Sequence, residues 1–379
     1  MKLAAVTATA VRVPVKTVTR MSTRLLDKRD FLLVSITDAD QGHVGIGYSY
    51  AGTSGGALLA HIVDDLLAPA LGDRLDDGIV GAWERLYQEA LLVGRRGAVL
   101  RALSAIDIAL WDLLAKRAGL PLAEVLGGSS RRVPAYASGG YYRPSEGGWA
   151  DAVAAEIKLN KQLGFHDHKI KVGGLPVEED AIRVAAAIEA IGGDGRLALD
   201  ANNAYRSIHE AARATKAFER AAGDAGLWWM EEPLVADDLS GHVALAARVD
   251  TPIATGEIAQ TRWEFRDLAD PAADIILQPD AGVLGGVTEW MRVARAAETA
   301  RLSVAPHWHA NLHVHLVAAV TNAMPVEHFA LEKDIYNFEL LLTPDSRLQF
   351  EDGELQVPDR PGLGVELEPA AVEEYAVRG

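Results

Sequence analysis

Lys171 in HKIKVGG, Asp200 in LALDANN, Glu231 in LWWMEEP, Glu257 in IATGE, Asp280 in IILQPD, His307 in LSVAPH and Glu327 in AMPVE each close a short apolar run. Successive members of this set lie 20 to 31 residues apart, about the length of one strand-plus-helix repeat in a (β/α) barrel. Catalytic groups in such barrels come from the C-terminal ends of several different strands. Lysines, three carboxylates and an Asp/His pair gathered at one rim would bind a divalent metal and move protons on two faces of a substrate. The pattern reads as an enzyme.

Each group also has a plainer reading. A lone Asp or Glu at a strand end is more often a helix cap or an ion-pair partner. Asp200, Glu231 and Glu257 at consecutive strand ends would converge and repel one another. A hard, oxygen-seeking cation relieves that repulsion, Mg²⁺ first and Mn²⁺ with the same ligands. In Lys169-Ile170-Lys171 the two lysines lie two apart, so both side chains face one side of a strand. Like charge and desolvation are expected to lower both pKa values, which suits Lys171 to a general base. Asp280 and His307 form a familiar base/acid unit, the carboxylate setting the tautomer. His309, His313 and His315 follow in PHWHANLHVH, so a histidine zinc site must be weighed. Its donors would all come from nine residues of chain, and three carboxylates elsewhere favour an oxygen site.

The elements that must place these groups fall into two units. Residues 2–14, 31–37 and 43–50 read as strands, followed by helical patterns over 57–71, 81–92 and 96–118. That is an α+β unit. From Val133 short apolar strands alternate with alanine-rich helices, including 151–163, 179–191, 207–221 and 287–300. The Gly/Ser/Pro-rich stretch at 127–134 is the expected joint. The strand-like LQFEDGELQVP after residue 345 suggests a tail that folds back onto the first unit. The boundaries expected are therefore 1–127, 128–345 and 346–379.

Composition narrows the classes. A chain of 379 residues, 49% apolar and 24% charged, is ordinary globular protein. A formal charge of −16 with no basic block disfavours a nucleic-acid partner. The opening MKLAAVTATAVRVPV reads as a strand, because Thr7, Thr9 and Arg12 break any signal-like apolar core. No run of eighteen apolar residues is present to span a membrane. Zero cysteines fit a reducing compartment, so a cytoplasmic protein is expected.

The chain resembles the enolase superfamily, and within it the mandelate racemase subgroup, over nearly its whole length. The likeness rests on RALSAIDIALWDLLAKRAGLPLAEVLGG, KIK, DANN, EEP, GE, QPDAGVLGGVTEW and the His307 segment, in that order. It implies an α/β fold: a modified (β/α)7β TIM-type barrel with an N-terminal α+β capping domain completed by the C-terminal tail. It makes Asp200, Glu231 and Glu257 the Mg²⁺ ligands, with Glu231 preferred to Glu232. Lys171 becomes the base on one face, with Lys169 beside it on the substrate carboxylate and depressing its pKa. His307, paired with Asp280, serves the other face, and Glu327 hydrogen-bonds the enolate oxygen. Asn202 would contact the substrate hydroxyl or carboxylate, and a homo-oligomer would fit the family. The muconate-lactonizing and dipeptide-epimerase subgroup would place a lysine near Asp280, where this chain has Pro279 and Ala281.

The implied chemistry is removal of the proton α to a carboxylate, giving an ene-diolate. With a β-hydroxyl present, loss of water from an acid sugar gives a 2-keto-3-deoxy acid; this is the leading reading. The alternative is a racemase or epimerase of a 2-hydroxy acid using the same groups. A third, a non-catalytic metal-binding barrel, has no use for proton donors on both faces. Substrate identity is expected to lie in loops at 17–30 and 48–56, the second a Gly/Ser-rich lid candidate. Arg20 and Arg24 in the first are candidates for a distal carboxylate, although solvated loop arginines are common. Ser138, after Tyr136-Ala137, is a candidate contact for the substrate carboxylate.

Overall fold

The computed structural model describes residues 1–143, 148–193, 195–333 and 335–377. The N-terminal unit opens with an antiparallel meander of β1 (Leu3–Arg20), β2 (Leu25–Asp38) and β3 (Val44–Tyr50). β2 is central and buried without a break from Arg29 to Val34. β1 and β2 run further than their apolar cores suggest. The β-branched VKTVTR continues the pairing to Thr19↔Leu26 and Arg20↔Leu25, across a register shift after Pro14, which has no N–H to give. The expected loop over 17–30 is therefore a hairpin, with its turn at 21–24.

Helices then cover one face of the meander. α1 (Gly56–Ile62) continues to Leu71 through a π turn at Val63–Leu67, and α2 spans Gly78–Glu89. α3 (Ala98–Ala118) is buried nearly all round, because the meander lies on one side and the barrel on the other. Two glycines of β3 allow that approach. A Cβ on Gly47 would stand 1.9 Å from the Ala105 carbonyl oxygen, and one on Gly45 2.1 Å from that of Ala109. The shared core includes Leu32, Val34, Ile36, Leu59, Trp83, Leu103 and Ile106.

The second unit is a closed ring of parallel strands. β4 (Arg132–Gly139), β5 (His168–Lys171), β6 (Leu197–Asp200), β7 (Met230–Glu231), β8 (Ile253–Thr255) and β9 (Ile275–Leu277) pair in order. Val304 bridges Leu277 and Ala323, and β10 (Val326–His328) closes on β4. Among the described residues seven of these eight strand positions are followed by a helix: α4 (Gly148–Gln162), α5 (Val177–Ile191), α6 (Ile208–Ala222), α7 (Leu239–Ala246), α8 (Thr261–Leu268), α9 (Gly286–Thr299) and α10 (Ala310–Val317). This is the (β/α)7β arrangement. Tyr136, Trp229 and Ile276, with the small Ala198, Ala254 and Ala305, pack together as one cluster on and beside the strands.

α3 ties the units together. Asp107 accepts from Thr288 N at 2.9 Å and Thr288 Oγ1 at 2.6 Å, and Ser104 Oγ accepts from Gly285 N at 2.9 Å. The tail divides its return. Its hairpin, β11 (Phe350–Glu351) and β12 (Glu354–Gln356), pairs antiparallel with β4, so it extends the barrel sheet and not the first unit. β4 has a free edge at Arg132–Pro134, below the start of its pairing with β5 and β10, which the hairpin covers. Beyond it, Gly362 bridges Pro121, and α11 (Pro369–Tyr375) leads Ala376 onto Val11.

Candidate active site

The ring delivers one polar side chain per strand to a common end. In order around it come Ser138 on β4, Lys171 on β5, Asp200 on β6, Glu231 on β7, Glu257 after β8, Asp280 after β9, His307 after Val304 and Glu327 on β10. Lys171 and His307 thus stand three strand positions apart through β10 and β4, with Asp200, Glu231, Glu257 and Asp280 on the other arc. A cavity of about 410 Å³ lies over this end, bounded by Lys171, Asn202, Glu257, Asp280, His307 and Glu327. Glu231 and Lys169 lie beneath it, fully buried. Ser138 is buried in register with Lys169, its hydroxyl without a hydrogen-bond partner, and does not line the cavity.

Asp200, Glu231 and Glu257 each offer an oxygen within 4.8 Å of the others. Lys169 Nζ donates to Glu231 Oε1 at 2.5 Å, and Trp229 Nε1 and Gln278 Nε2 serve Glu231 Oε2 at 2.9 and 2.7 Å. Burial, reinforced by the neighbouring carboxylates against the pull of Lys169, pushes the Glu231 carboxyl up to about 8. Burial likewise lifts Glu257 to about 7, and its buried Oε2 accepts no hydrogen bond. Crowded all-oxygen donors with one atom unused suit a hard divalent cation. The second carboxylate of EEP does not share in this. Glu232 turns away with a left-handed φ of 42°. Its oxygens are taken by Thr255 Oγ1, Gly256 N and Asn203 Nδ2 at 2.8–2.9 Å.

The lysines differ from expectation. Burial alone would lower Lys171, but Asp200, hydrogen-bonded to it, outweighs burial and the neighbouring Lys169, so the ammonium is held above its ordinary value. Lys169 is likewise raised despite burial, by Glu231 and by Glu327 at 2.8 Å. The KIK spacing shows the two cations but not the carboxylates that surround them in the fold. Glu327 is held low, burial being overcome by Lys169; its second oxygen accepts from Trp308 N at 2.8 Å.

His307 Nδ1 lies 2.9 Å from Asp280 Oδ2 and Nε2 lies 3.4 Å from Glu257 Oε2. Against burial, Glu257 and Asp280 raise it to about 9, while Asp280, despite its own burial, falls to about 2. The other histidines of the stretch do different work. His313 accepts from Ala281 N and donates Nδ1–H to the Trp308 carbonyl, a neutral tautomer that braces the turn after Asp280. His315 accepts from Ala123 N and donates to the Leu363 carbonyl. His309 is buried against Tyr48 and Tyr336. Among the described residues no zinc-like histidine cluster forms.

The N-terminal unit roofs the cavity. Ser22 Oγ, in the β1–β2 turn, donates to the Ala201 carbonyl at 2.6 Å and fixes Arg24 over the opening. Arg20 points elsewhere and does not line it. The 48–56 segment contributes Tyr50, Ala51, Gly52, Ser54 and Gly55. Sequence reasoning missed Arg29, Arg101 and Tyr141, which also line it. Arg101, alone between Leu100 and Ala102 at the start of a buried apolar helix, gave an available signal, whereas Arg29 lies in the charged run DKRD and gave none.

This geometry, a barrel with a rim of acid, base and carboxylate groups under an N-terminal cap, defines a class of enzymes. Residues 4–127 match the mandelate racemase / muconate lactonizing enzyme N-terminal domain, and residues 152–371 the enolase C-terminal domain-like family. The chain belongs to the mandelate racemase/muconate lactonizing enzyme family of the enolase superfamily. An arabinonate dehydratase of Saccharolobus solfataricus is 34% identical over 345 residues, covering 89% of this chain and 88% of that one. A 3,6-anhydro-alpha-L-galactonate cycloisomerase of Streptomyces coelicolor is 32% identical, covering 92% and 94%. An L-talarate dehydratase from Polaromonas sp. JS666, solved with Mg and L-glucarate, superposes with a TM-score of 0.86 at 34% identity over 100% and 98% of the chains. A racemase from Streptomyces coelicolor A3(2) with bound magnesium gives 0.87 at 30% identity over 99% and 100%.

Proposed function

We propose that this enzyme removes the proton α to a carboxylate of an acid sugar and expels the β-hydroxyl as water. The observation that carries it is one cavity holding Lys171 and His307 on separate arcs of the ring, with three converging carboxylates between them. Asp200, Glu231 and Glu257 would hold Mg²⁺, which would supply positive charge for the substrate's carboxylate oxygens and would compete with Lys171 for Asp200. Lys171, released from Asp200 and depressed by burial and by Lys169, takes the α-proton as a neutral amine. Lys169 presents its ammonium to the developing negative charge. His307, protonated and oriented by Asp280, gives its proton to the departing hydroxyl. The resulting enol becomes a 2-keto-3-deoxy acid. Glu327, tied to Lys169 and Trp308 N, orients that lysine, and Asn202 faces the cavity as a contact for the substrate.

A substrate lacking the β-hydroxyl has nothing to expel, and return of a proton from the other base would racemise it. The racemase among the structural neighbours supports keeping that second reading. A panel of acid sugars assayed with semicarbazide for 2-keto acid release distinguishes the two. Release that is abolished by chelation and restored by Mg²⁺ is the expected result. Inversion without release across the panel replaces dehydration with racemisation, and full activity with metal removed and verified by elemental analysis overturns both.

A further inference from the structure

The cap side of the cavity carries a charge pattern that α-proton removal does not use. Three arginines reach it: Arg24 from the β1–β2 turn, Arg29 from β2 and Arg101 from the first turn of α3. Among the described residues no Asp or Glu of the cap lines the cavity. Among the described residues none of the three guanidinium groups lies within 4.0 Å of a carboxylate, whereas Arg12, Arg183 and Arg262 are each paired with one. In a protein of net charge −16 this concentration of unpaired cations is local and specific.

The three are not equivalent. Arg29 is fully engaged in packing: it donates to Tyr50 Oη at 2.7 Å and the Ile335 carbonyl at 3.2 Å, and it lies over Tyr50 and Trp308. The Arg101 guanidinium donates to the Tyr50 carbonyl at 2.8 Å. Burial holds its guanidinium below the ordinary value, and Arg24 adds to this against Asp280, Tyr50 and Glu257. Arg24 and Arg101 therefore repel each other across the cavity roof. Gly97 and Ala98, where the 21-residue α3 begins, line the same wall, so a helix N-terminus adds positive potential there.

Resting on the proposed α-proton chemistry, we propose that this wall is a second anion subsite, with Arg24 and Arg101 as anchors. It selects acid sugars with a carboxylate at each end. The reacting carboxylate occupies the Lys169 side of the barrel, and the distal carboxylate bridges the two arginines and relieves their repulsion. A guanidinium presents paired donors to a carboxylate, which a terminal CH₂OH cannot match in charge.

Galactarate and galactonate make a matched test, since they differ in the group at one end and share the same open chain of stereocentres. Wild-type enzyme with Mg²⁺ is expected to favour galactarate, or the corresponding member of the glucarate/gluconate pair, by about tenfold to a hundredfold in kcat/KM, the range of a charged hydrogen bond. Arg24→Met and Arg101→Met should each collapse that ratio, mainly through KM for the diacid. Arg24 sits in an exposed hairpin turn, so its variant reads the subsite even if Arg101→Met folds poorly. A wild-type ratio near one, or variants that lower both members equally, overturns the subsite while leaving the dehydration reading intact. If neither pair is turned over, calorimetric binding of galactarate and galactonate to the Mg²⁺-loaded wild type and Arg24→Met decides by the same ratio. In that event lack of turnover counts against the proposed chemistry alone.

Discussion

At the residue scale the stretch from His307 to His315 shows how position assigns work to identical side chains. All four histidines lie within nine residues, yet among the described residues only His307 is hydrogen-bonded to a carboxylate and lines the cavity. His313 and His315 are locked to backbone groups in opposite neutral tautomers. The two-base assignment is testable here. His307→Asn should abolish water loss while Lys171 still exchanges the α-proton of the substrate whose proton it faces for solvent deuterium. Lys171→Ala should lose that exchange and retain it for the opposite configuration. Proton NMR in D₂O reads both, and normal turnover by both variants would falsify the roles.

Elements set how well those residues are held. The β5 exit that carries Lys171 is braced from α5. Arg183, fully buried, donates to the Lys171 carbonyl at 2.8 Å and the Gly140 carbonyl at 2.6 Å, and pairs with Asp180, which accepts from Gly173 N. Replacing Arg183 by Met would leave Asp180 a buried, unpaired charge, a defect of about 3–5 kcal/mol. Unfolding in urea should show the loss, and kcat should fall more than KM rises because the base is displaced. The cap depends on a different contact. Gly47→Ala places a methyl inside the Ala105 carbonyl, so β3 must lift from α3. A loss of about 3 kcal/mol is expected, and a variant as stable as wild type would contradict the close approach.

For the whole molecule, four buried histidines make acid costly. His315 sits at the junction of Ala123, α10 and the tail, and burial depresses it to about 4; His168 and His328 are also near 4 and His309 near 3. Each binds a proton in the unfolded chain below about 6.5 but not in the folded one. Their contribution is therefore complete above pH 6.5 and lost as pH falls towards 4. For one such group the loss is about 3 kcal/mol. From pH 7 to pH 4.5 these histidines pull Tm down, while Glu231, Glu257 and Asp107, whose carboxyls burial raises, pull it up. His315→Gln, whose amide can still donate and accept, should remove one downward pull from the measured slope of Tm against pH, even if it lowers Tm at pH 7. An unchanged slope would show that His315 is not buried neutral.

The motif set was legible because chemistry restricts residue type: carboxylates for a hard cation, an Asp/His pair and a strand with lysines two apart. Strand and helix spacing then revealed the barrel, since each repeat must bury its own apolar faces. The choice of Glu231 over Glu232 came from resemblance, and the hydrogen bonds to Glu232 supply its physical basis. Other features depended on contacts between distant segments. The sign of the lysine shifts hinges on carboxylates 29 and 62 residues away, whose proximity no local pattern encodes. The tail hairpin joined β4 because a free strand edge was available there. Arg101 lies within the quoted RALS motif, but its partners across the cavity come from a hairpin that local reading took for a loop. Residue type and periodicity specify what a segment can do; only closure of the ring and seating of the cap decide which side chains meet and which charges remain unpaired.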